Sequence, residues 1–117
     1  MQSDESRTDI GLIRIHDKVI SSISSLAATE IEGVKGIRRG YRTGFISILD
    51  KKGISAIKVI KDKNGEITVQ IPLIIKYGYN IPEVAARVQE NVRNNLEKMA
   101  GLIVKDINIS VQGIEKD

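Results

Sequence analysis

The strongest constraint on the fold is an alternation of apolar and polar side chains over residues 66–77. Successive side chains of a strand point to opposite faces of a sheet, so this alternation predicts a long strand with one buried face. The apolar set consists of Ile67, Val69, Ile71, Leu73 and Ile75. Pro72 lies within the strand and has no N–H, so we expect it at an edge or a bulge, where the ladder is incomplete.

A capped helix is predicted directly after this strand. Asn80, with Glu83 three residues later, is the capping-box pattern that begins a helix, and Pro82 suits the first turn because no N–H is needed there. Gly101 ends the helix. The residues predicted to face the core are Val84, Val88, Val92, Leu96 and Met99, joined by Ala85 and Ala100.

A second amphipathic helix is predicted earlier in the chain. Asp17 offers an N-cap oxygen, and Gly33 supplies the residue at which such a helix stops. Its apolar residues recur at three- and four-residue steps and are Val19, Ile20, Ile23, Leu26, Ala27 and Ile31. Shorter extended segments are predicted at residues 11–15, from Val34, at 55–61 and at 103–112.

These elements predict an α+β fold in the order β-α-β-β-α-β. Two helices can cover one face of a single, mostly antiparallel sheet, which makes a two-layer sandwich, and ferredoxin-like pairing is one possible topology. The expected domain spans residues 10–114, with a disordered tail at 1–9 and another at 115–117. Residues 38–54 form no sustained period and carry several glycines, so they are predicted to be a flexible basic loop, with a helical turn possible near Phe45.

The composition removes most catalytic chemistries. The 117 residues include no Cys, no Trp and a single His, so thiol chemistry, disulfides and Cys-based metal sites are excluded. His16 lies at a strand-to-helix junction, where a ring nitrogen most often contacts the backbone. No zinc ligand set or calcium-binding loop is present. We therefore expect no catalytic residues, no metal and no cofactor.

The sequence predicts no targeting segment. Its first residues are polar and acidic, unlike the basic and apolar regions of a signal peptide. No stretch approaches the roughly 18 apolar residues that a membrane-spanning helix needs. The sequence thus predicts a cytoplasmic protein that reaches the inner membrane only peripherally, through a partner.

Charge is distributed unevenly along the chain. Residues 35–63 contain nine basic and two acidic residues, a local charge of +7, so the remainder carries −4 of the total +3. This asymmetry favours an anionic partner or an acidic face of another copy, although a solvated surface explains it equally well. The candidate interface or anion contacts are Lys35, Arg38, Arg39 and Arg42.

One short motif resembles a nucleic-acid clamp. Residues 33–36 match the G-x-x-G loop with which KH domains hold a nucleic-acid backbone. That loop joins two helices, whereas the residues after Gly36 have no helical stripe. A helix C-cap at Gly33 and a bend at Gly36 are therefore the favoured interpretation.

Several longer runs resemble the signature of the alkaline shock protein 23 family, the bacterial envelope stress response proteins. They are YGYNIPEVA at 77–85, VQENV at 88–92, MAGL at 99–102 and INISVQGI at 107–114. The N-terminal part is similar as well, with G-x-I-x-I at 11–15 and EGV at 32–34. The resemblance covers residues 11–114 except for the centre, 38–54, where the family varies.

The resemblance implies a non-enzymatic adaptor or scaffold. Family members are small cytoplasmic proteins; some self-associate and are held at the membrane by a separate anchor protein. The motif residues are mostly architectural: Asn80 and Glu83 cap a helix, and Gly78 and Gly101 allow special backbone angles. Two alternatives remain open, a nucleic-acid-binding module that uses residues 35–63 and a regulator linked to lipid metabolism.

Overall fold

The computed structural model describes residues 5–8, 11–14, 17–38 and 56–116, with side chains from residue 17 onward. The predicted flexible loop at 38–54, the turn near Phe45 and His16 therefore lie outside the described residues, apart from Arg38. The elements are β1 (Glu5–Thr8), β2 (Gly11–Arg14), α1 (Asp17–Thr29), β3 (Val34–Ile37), β4 (Lys58–Lys61), β5 (Ile67–Lys76), α2 (Ile81–Ala100) and β6 (Val104–Glu115). The two helices and the predicted order of strands around them are confirmed.

The main sheet has four strands and is built around β5. On one side β6 runs parallel to β5 along its whole length. On the other side β4 pairs antiparallel with the first half of β5, and β3 pairs antiparallel with the second half. Two of the three pairings are antiparallel, which confirms the predicted mostly antiparallel sheet.

The ferredoxin-like topology is not adopted. In a split β-α-β arrangement another strand lies between the two parallel strands. Here β5 and β6 are direct neighbours, joined through α2 as an unsplit unit. The long alternating runs of β5 and β6 predict two strands, but they do not determine which strands are adjacent.

The N-terminal strands lie apart from the main sheet. β1 and β2 pair antiparallel in a two-stranded sheet of their own. Residues 5–8, which composition assigns to a disordered tail, are thus part of a strand pair. Hydrogen bonds between backbone groups form this pairing, so the low apolar content of residues 5–8 does not reveal it.

Pro72 lies where the ladder along β5 is incomplete, as the sequence predicts. β4 pairs with residues up to Gln70, and β3 pairs with residues from Leu73 onward. The Pro72 carbonyl accepts a hydrogen bond from Arg38 N–H (2.8 Å), just after β3 ends. The missing N–H of Pro72 therefore removes only one bond at a strand end.

The core lies between the sheet and the two helices. Every helix-facing residue of β5 predicted from the alternation is fully buried, as are Val88, Val92 and Leu96 of α2. Burying one such aliphatic side chain contributes about 1.5–3 kcal/mol. Met99, which the stripe of α2 also included, is instead 68% exposed, because it lies in the last turn of the helix.

The buried face of α1 differs from the predicted one. Ile20 and Ala27 are buried as expected, but Val19 and Leu26 are 47% and 57% exposed. The buried face instead contains small residues, namely Ser21, Ser24, Ser25 and Ala28. Ser24 satisfies its hydroxyl by donating to the Ile20 carbonyl (2.8 Å), so a serine is accommodated in the core without an unpaired polar group.

The ends of α2 are capped by side chain and backbone. The Asn80 Oδ1 accepts a hydrogen bond from Glu83 N–H (3.0 Å), and the Glu83 carboxylate pairs with Arg87 (3.0 Å). Gly101 adopts a left-handed conformation (φ 65°), and its N–H donates to the Leu96 carbonyl. These contacts fix where the helix begins and ends relative to β5 and β6.

Candidate functional site

The basic residues predicted as anion contacts are only partly described. Lys35 lies at the irregularity in the β3 ladder, and its Nζ donates to the Lys116 carbonyl (3.1 Å). The Arg38 side chain is exposed just after β3. Arg39 and Arg42 lie outside the described residues. The structure thus places Lys35 beside the end of β6, far from it in sequence, and it describes no four-residue basic patch.

A packed corner forms where α1 leads into β3 and β5 leads into α2. Gly33 has φ 99°, and its carbonyl accepts a hydrogen bond from Lys76 N–H (2.8 Å). The Tyr79 hydroxyl donates to Glu32 Oε2 (3.1 Å). Gly78, also at positive φ (95°), turns the chain so that Tyr79 lies over Gly33. The corner is architectural, since its polar groups are satisfied within the chain.

An apolar stripe runs along α1, with Val19 and Leu26 exposed and Ile23 half-buried between them. Val19, Ile23 and Leu26 line a shallow groove of about 630 Å³ together with Lys18 and Ser22. The groove surface is almost entirely apolar. The three aliphatic residues are spaced by four and three positions, so they lie on one face of the helix. We call this surface the α1 stripe.

The predicted role is wrong for Val19 and Leu26, whereas Ile23 is half-buried and packs against the core. The sequence predicts Val19, Ile23 and Leu26 to be core residues because they are aliphatic and helically spaced. The structure leaves Val19 and Leu26 exposed because α1 turns Ser21, Ser24 and Ser25 inward. The sequence does contain a signal for this face. Its small residues recur at three- and four-residue steps, the spacing of one helix face, and are Ser21, Ser24, Ser25 and Ala28.

The face of the sheet opposite the helices carries mostly polar residues. Lys58 and Gln70 are neighbours in the register of β4 and β5, and Asn108 is the next residue across, on β6. A groove of about 220 Å³ lies on this face. It is lined by Ala56, Lys58, Gln70, Ile71, Pro72, Ser110 and Gln112, and the Gln112 amide donates to the Ser110 hydroxyl.

Side chains of α2 reach the backbone at the start of β6. Arg93 donates to the Val104 carbonyl (2.6 Å), and Gln89 Nε2 donates to the Ile107 carbonyl (2.9 Å). Such bonds fasten the helix to the edge of the sheet. They also occupy carbonyls that a further strand would otherwise bond.

The described part of the chain has neither a metal-binding cluster of side chains nor a helix that could span a membrane. Across residues 17–38 and 56–116, no group of three His, Cys, Asp or Glu residues is placed to hold a metal ion. Neither α1 nor α2 is long and apolar enough to cross a membrane.

Comparison with known proteins gives a consistent family assignment. The model of the alkaline shock protein 23 family, described as having a cell envelope-related function, matches residues 5–116. Protein YqhY of Bacillus subtilis is 35% identical over 118 aligned residues, covering 100% of this chain and 87% of that protein. Protein Spy1614 of Streptococcus pyogenes serotype M6 is 36% identical over 110, covering 92% and 91%.

More distant relatives carry a functional name. A protein of Streptococcus pyogenes serotype M3 called stress response regulator gls24 homolog is 24% identical, covering 90% of this chain and 59% of that protein. No solved structure gives a significant match. The resemblance seen in the sequence is confirmed: this chain belongs to the alkaline shock protein 23 family, whose function is related to the cell envelope.

Proposed function

We propose that this protein is a non-enzymatic adaptor of the envelope stress response. It binds a membrane-anchored partner protein and other copies of itself, and so gathers at the cytoplasmic face of the membrane. The family's cell envelope-related function and the name of the stress response regulator homolog support the setting. The α1 stripe is the observation that supports binding.

The chemistry of the α1 stripe suits another helix. Apolar side chains at positions i, i+4 and i+7 are the anchors with which amphipathic helices pack into a partner. Single exposed aliphatic residues are common on protein surfaces and carry no meaning alone. Here Val19, Ile23 and Leu26 form one continuous groove on a helix whose other face is already packed. An apolar or amphipathic segment of the anchor protein fits this groove.

The position of the stripe agrees with an adaptor role. Asp17, at the first turn of α1, is joined to Lys61 of β4 by an ion pair (2.7 Å), so the helix is held on the sheet from its start. Asn91 of α2 donates to the Ala27 carbonyl (2.7 Å) and secures its other end. A rigidly held helix presents its exposed face with little entropy lost on binding.

The test is co-purification with the small membrane proteins encoded beside this chain's gene. The wild-type protein is expected to co-purify with one of them from detergent-solubilised membranes. Leu26→Gln is expected to reduce recovery strongly, since it places a polar amide at the most exposed aliphatic position of the stripe. Met99→Gln is the matched control, because Met99 is also an exposed apolar residue (68%, against 57% for Leu26) and lies on the other helix.

The outcomes separate the surface from the function. Loss of partner with Leu26→Gln and retention with Met99→Gln support both the adaptor role and the stripe. Equal recovery with both variants assigns the partner to another surface. Failure of the wild type to retain any co-expressed neighbour contradicts the adaptor proposal itself.

A further inference from the structure

The outer edge of β6 is the longest open strand edge among the described residues. β6 has 12 residues, and in the described part of the chain its ladder partner is β5 alone. An open edge presents unpaired N–H and C=O groups, which template pairing with another strand. The question is which of these groups remain available.

Hydrogen bonds at the two ends of β6 fix its orientation. Ile67 N–H donates to the Ile103 carbonyl (3.0 Å), and Tyr77 N–H donates to the Glu115 carbonyl (2.8 Å), so residues 103 and 115 face β5. Backbone groups of successive residues point to opposite sides of a strand. Between these ends the register shifts twice, at Lys105 and at Gln112.

The alternation between the two shifts places Ile107, Ile109 and Val111 with their backbone groups outward. The Gln89 side chain bonds the Ile107 carbonyl, which agrees with this orientation. Arg93 likewise takes the outward Val104 carbonyl. The first part of the edge is thus closed by α2, and the N–H and C=O groups of Ile109 and Val111 are left for a further strand.

This open part of the edge lacks the usual protection. Native edges are commonly blunted by charged residues or proline. Residues 107–112 read Ile-Asn-Ile-Ser-Val-Gln and contain neither. Ile109 and Val111 are only half-buried, and Ile114 is 50% exposed. An added strand would both complete the hydrogen bonds and cover this aliphatic row.

We infer that the occupant is β6 of a second copy, paired antiparallel about a two-fold axis at Ser110. This inference rests on the proposed self-association and names its surface. In this register Ile109 of each copy lies opposite Val111 of the other. The N–H and C=O groups of these two residues therefore bond their counterparts in the second copy. Registers centred on Ile109 or Val111 are poorer, because they require the occupied Ile107 carbonyl or the bulge at Gln112.

The charges at the two ends of β6 are compatible with this pairing. One end carries Lys105 and Asp106, and the other carries Glu115 and Lys116. An antiparallel pair brings the first end of each copy to the second end of the other. Each end is neutral and has a cation and an anion, so no block of like charge opposes the contact.

A cysteine scan tests the axis directly, because the natural chain has no Cys. Ser110 is exposed, and in the proposed dimer it faces its own counterpart at a non-hydrogen-bonded position, where the two Cα atoms lie about 4.5 Å apart, within disulfide range. Ser110→Cys is expected to form a disulfide-linked dimer under mild oxidation. Lys58→Cys is the matched control. Lys58 is exposed on the same face of the sheet but on β4, which is separated from β6 by β5, so this variant is expected to remain largely unlinked.

A second variant removes the proposed bonds without touching the β5 ladder. Val111→Pro deletes an outward N–H, and proline is tolerated on an edge strand when that N–H does not serve the sheet. Two bonds are lost per dimer, so the dissociation constant measured by sedimentation is expected to rise about tenfold or more. The melting temperature at low protein concentration, where monomer prevails, serves as the folding control.

The outcomes distinguish this surface from self-association in general. A wild-type protein that associates while Ser110→Cys stays unlinked, or links no faster than Lys58→Cys, overturns the β6 pairing and leaves the proposed self-association standing. A wild type that is monomeric at every concentration overturns both. An edge that binds only a strand of another protein overturns the β6 pairing alone.

Discussion

Gly33 lies against the ring of Tyr79, so closely that a Cβ on Gly33 would stand 2.9 Å from Tyr79 Cδ2 and 2.9 Å from Val84 Cγ2. The contact joins the turn after α1 to the turn before α2. The Tyr79 hydroxyl bond to Glu32 holds the ring in place. A glycine at this position therefore meets two requirements, a positive φ and the absence of a side chain.

Gly33→Ala is expected to lower the free energy of unfolding by about 2 kcal/mol or more, through backbone strain and displacement of Tyr79. Urea unfolding followed by circular dichroism measures the change. Two controls separate the causes. Gly78→Ala keeps the strain of positive φ with open space around the Cβ, so about 1 kcal/mol is expected. Gly36→Ala has neither and is expected to be nearly neutral.

Val88 tests the orientation of α2. The side chain is fully buried, so Val88→Asp introduces a carboxylate with no partner and is expected to destabilise the protein by about 3–5 kcal/mol or to prevent folding. Ala86→Asp places the same charge on the exposed face of the helix and is expected to change stability little. Thermal melting that is the same for Val88→Asp and wild type would show that the face is wrongly assigned.

Asn91 links the two helices by two hydrogen bonds from its side-chain amide. Its Nδ2 donates to the Ala27 carbonyl (2.7 Å) and to Glu30 Oε1 (2.6 Å). Asn91→Ala removes both bonds, and a loss of about 1–2 kcal/mol in the free energy of unfolding is expected. Asn94→Ala, at an exposed position on the same helix, is the control. Equal effects of the two substitutions would mean that the contact contributes nothing specific.

The sequence predicts best where one periodicity is long and uninterrupted. The alternation in β5 and the stripe of α2 predict the buried faces correctly, apart from Met99 in the last helical turn, since a 10-residue strand and a 20-residue helix each repeat their pattern several times. The caps at Asn80 and Gly101 could also be predicted, because a cap depends only on residues close to it in sequence. Pro72 was informative because a missing N–H restricts pairing whatever the neighbour is.

Features that depend on distant residues were not predicted. The exposure of Leu26 depends on α1 packing through Ser24 and Ser25, and hydropathy alone ranks leucine as the buried residue. The approach of Tyr79 to Gly33 joins separate turns, which no local pattern encodes. The adjacency of β5 and β6 is a choice among topologies that share the same order of elements.

The basic residues give a prediction that separates a role at the membrane surface from the alternative role in binding nucleic acid. Each Lys or Arg near an anionic membrane surface is worth about 1 kcal/mol. Replacing Lys35, Arg38, Arg39 and Arg42 by Gln is expected to weaken binding to vesicles that contain anionic lipid, as measured by flotation. The matched control replaces four exposed lysines elsewhere, namely Lys18, Lys98, Lys105 and Lys116.

Nucleic-acid binding has a different signature. Its affinity would fall steeply with salt, because phosphate contacts release counterions, and the same four substitutions would abolish it. The nucleic-acid module would be favoured over the adaptor by two results together: the protein retains RNA or DNA with that salt dependence, and the four substitutions leave its binding to vesicles unchanged. No retention at low salt ends that alternative.

The most direct test of the adaptor account is the distribution of the protein between membrane and soluble fractions, with and without its genomic neighbours. The account predicts that co-expression with a neighbouring membrane protein moves most of this protein to the membrane fraction as an oligomer, and that deleting the neighbour returns it to the soluble fraction. A protein that stays soluble and monomeric in both conditions would contradict the account.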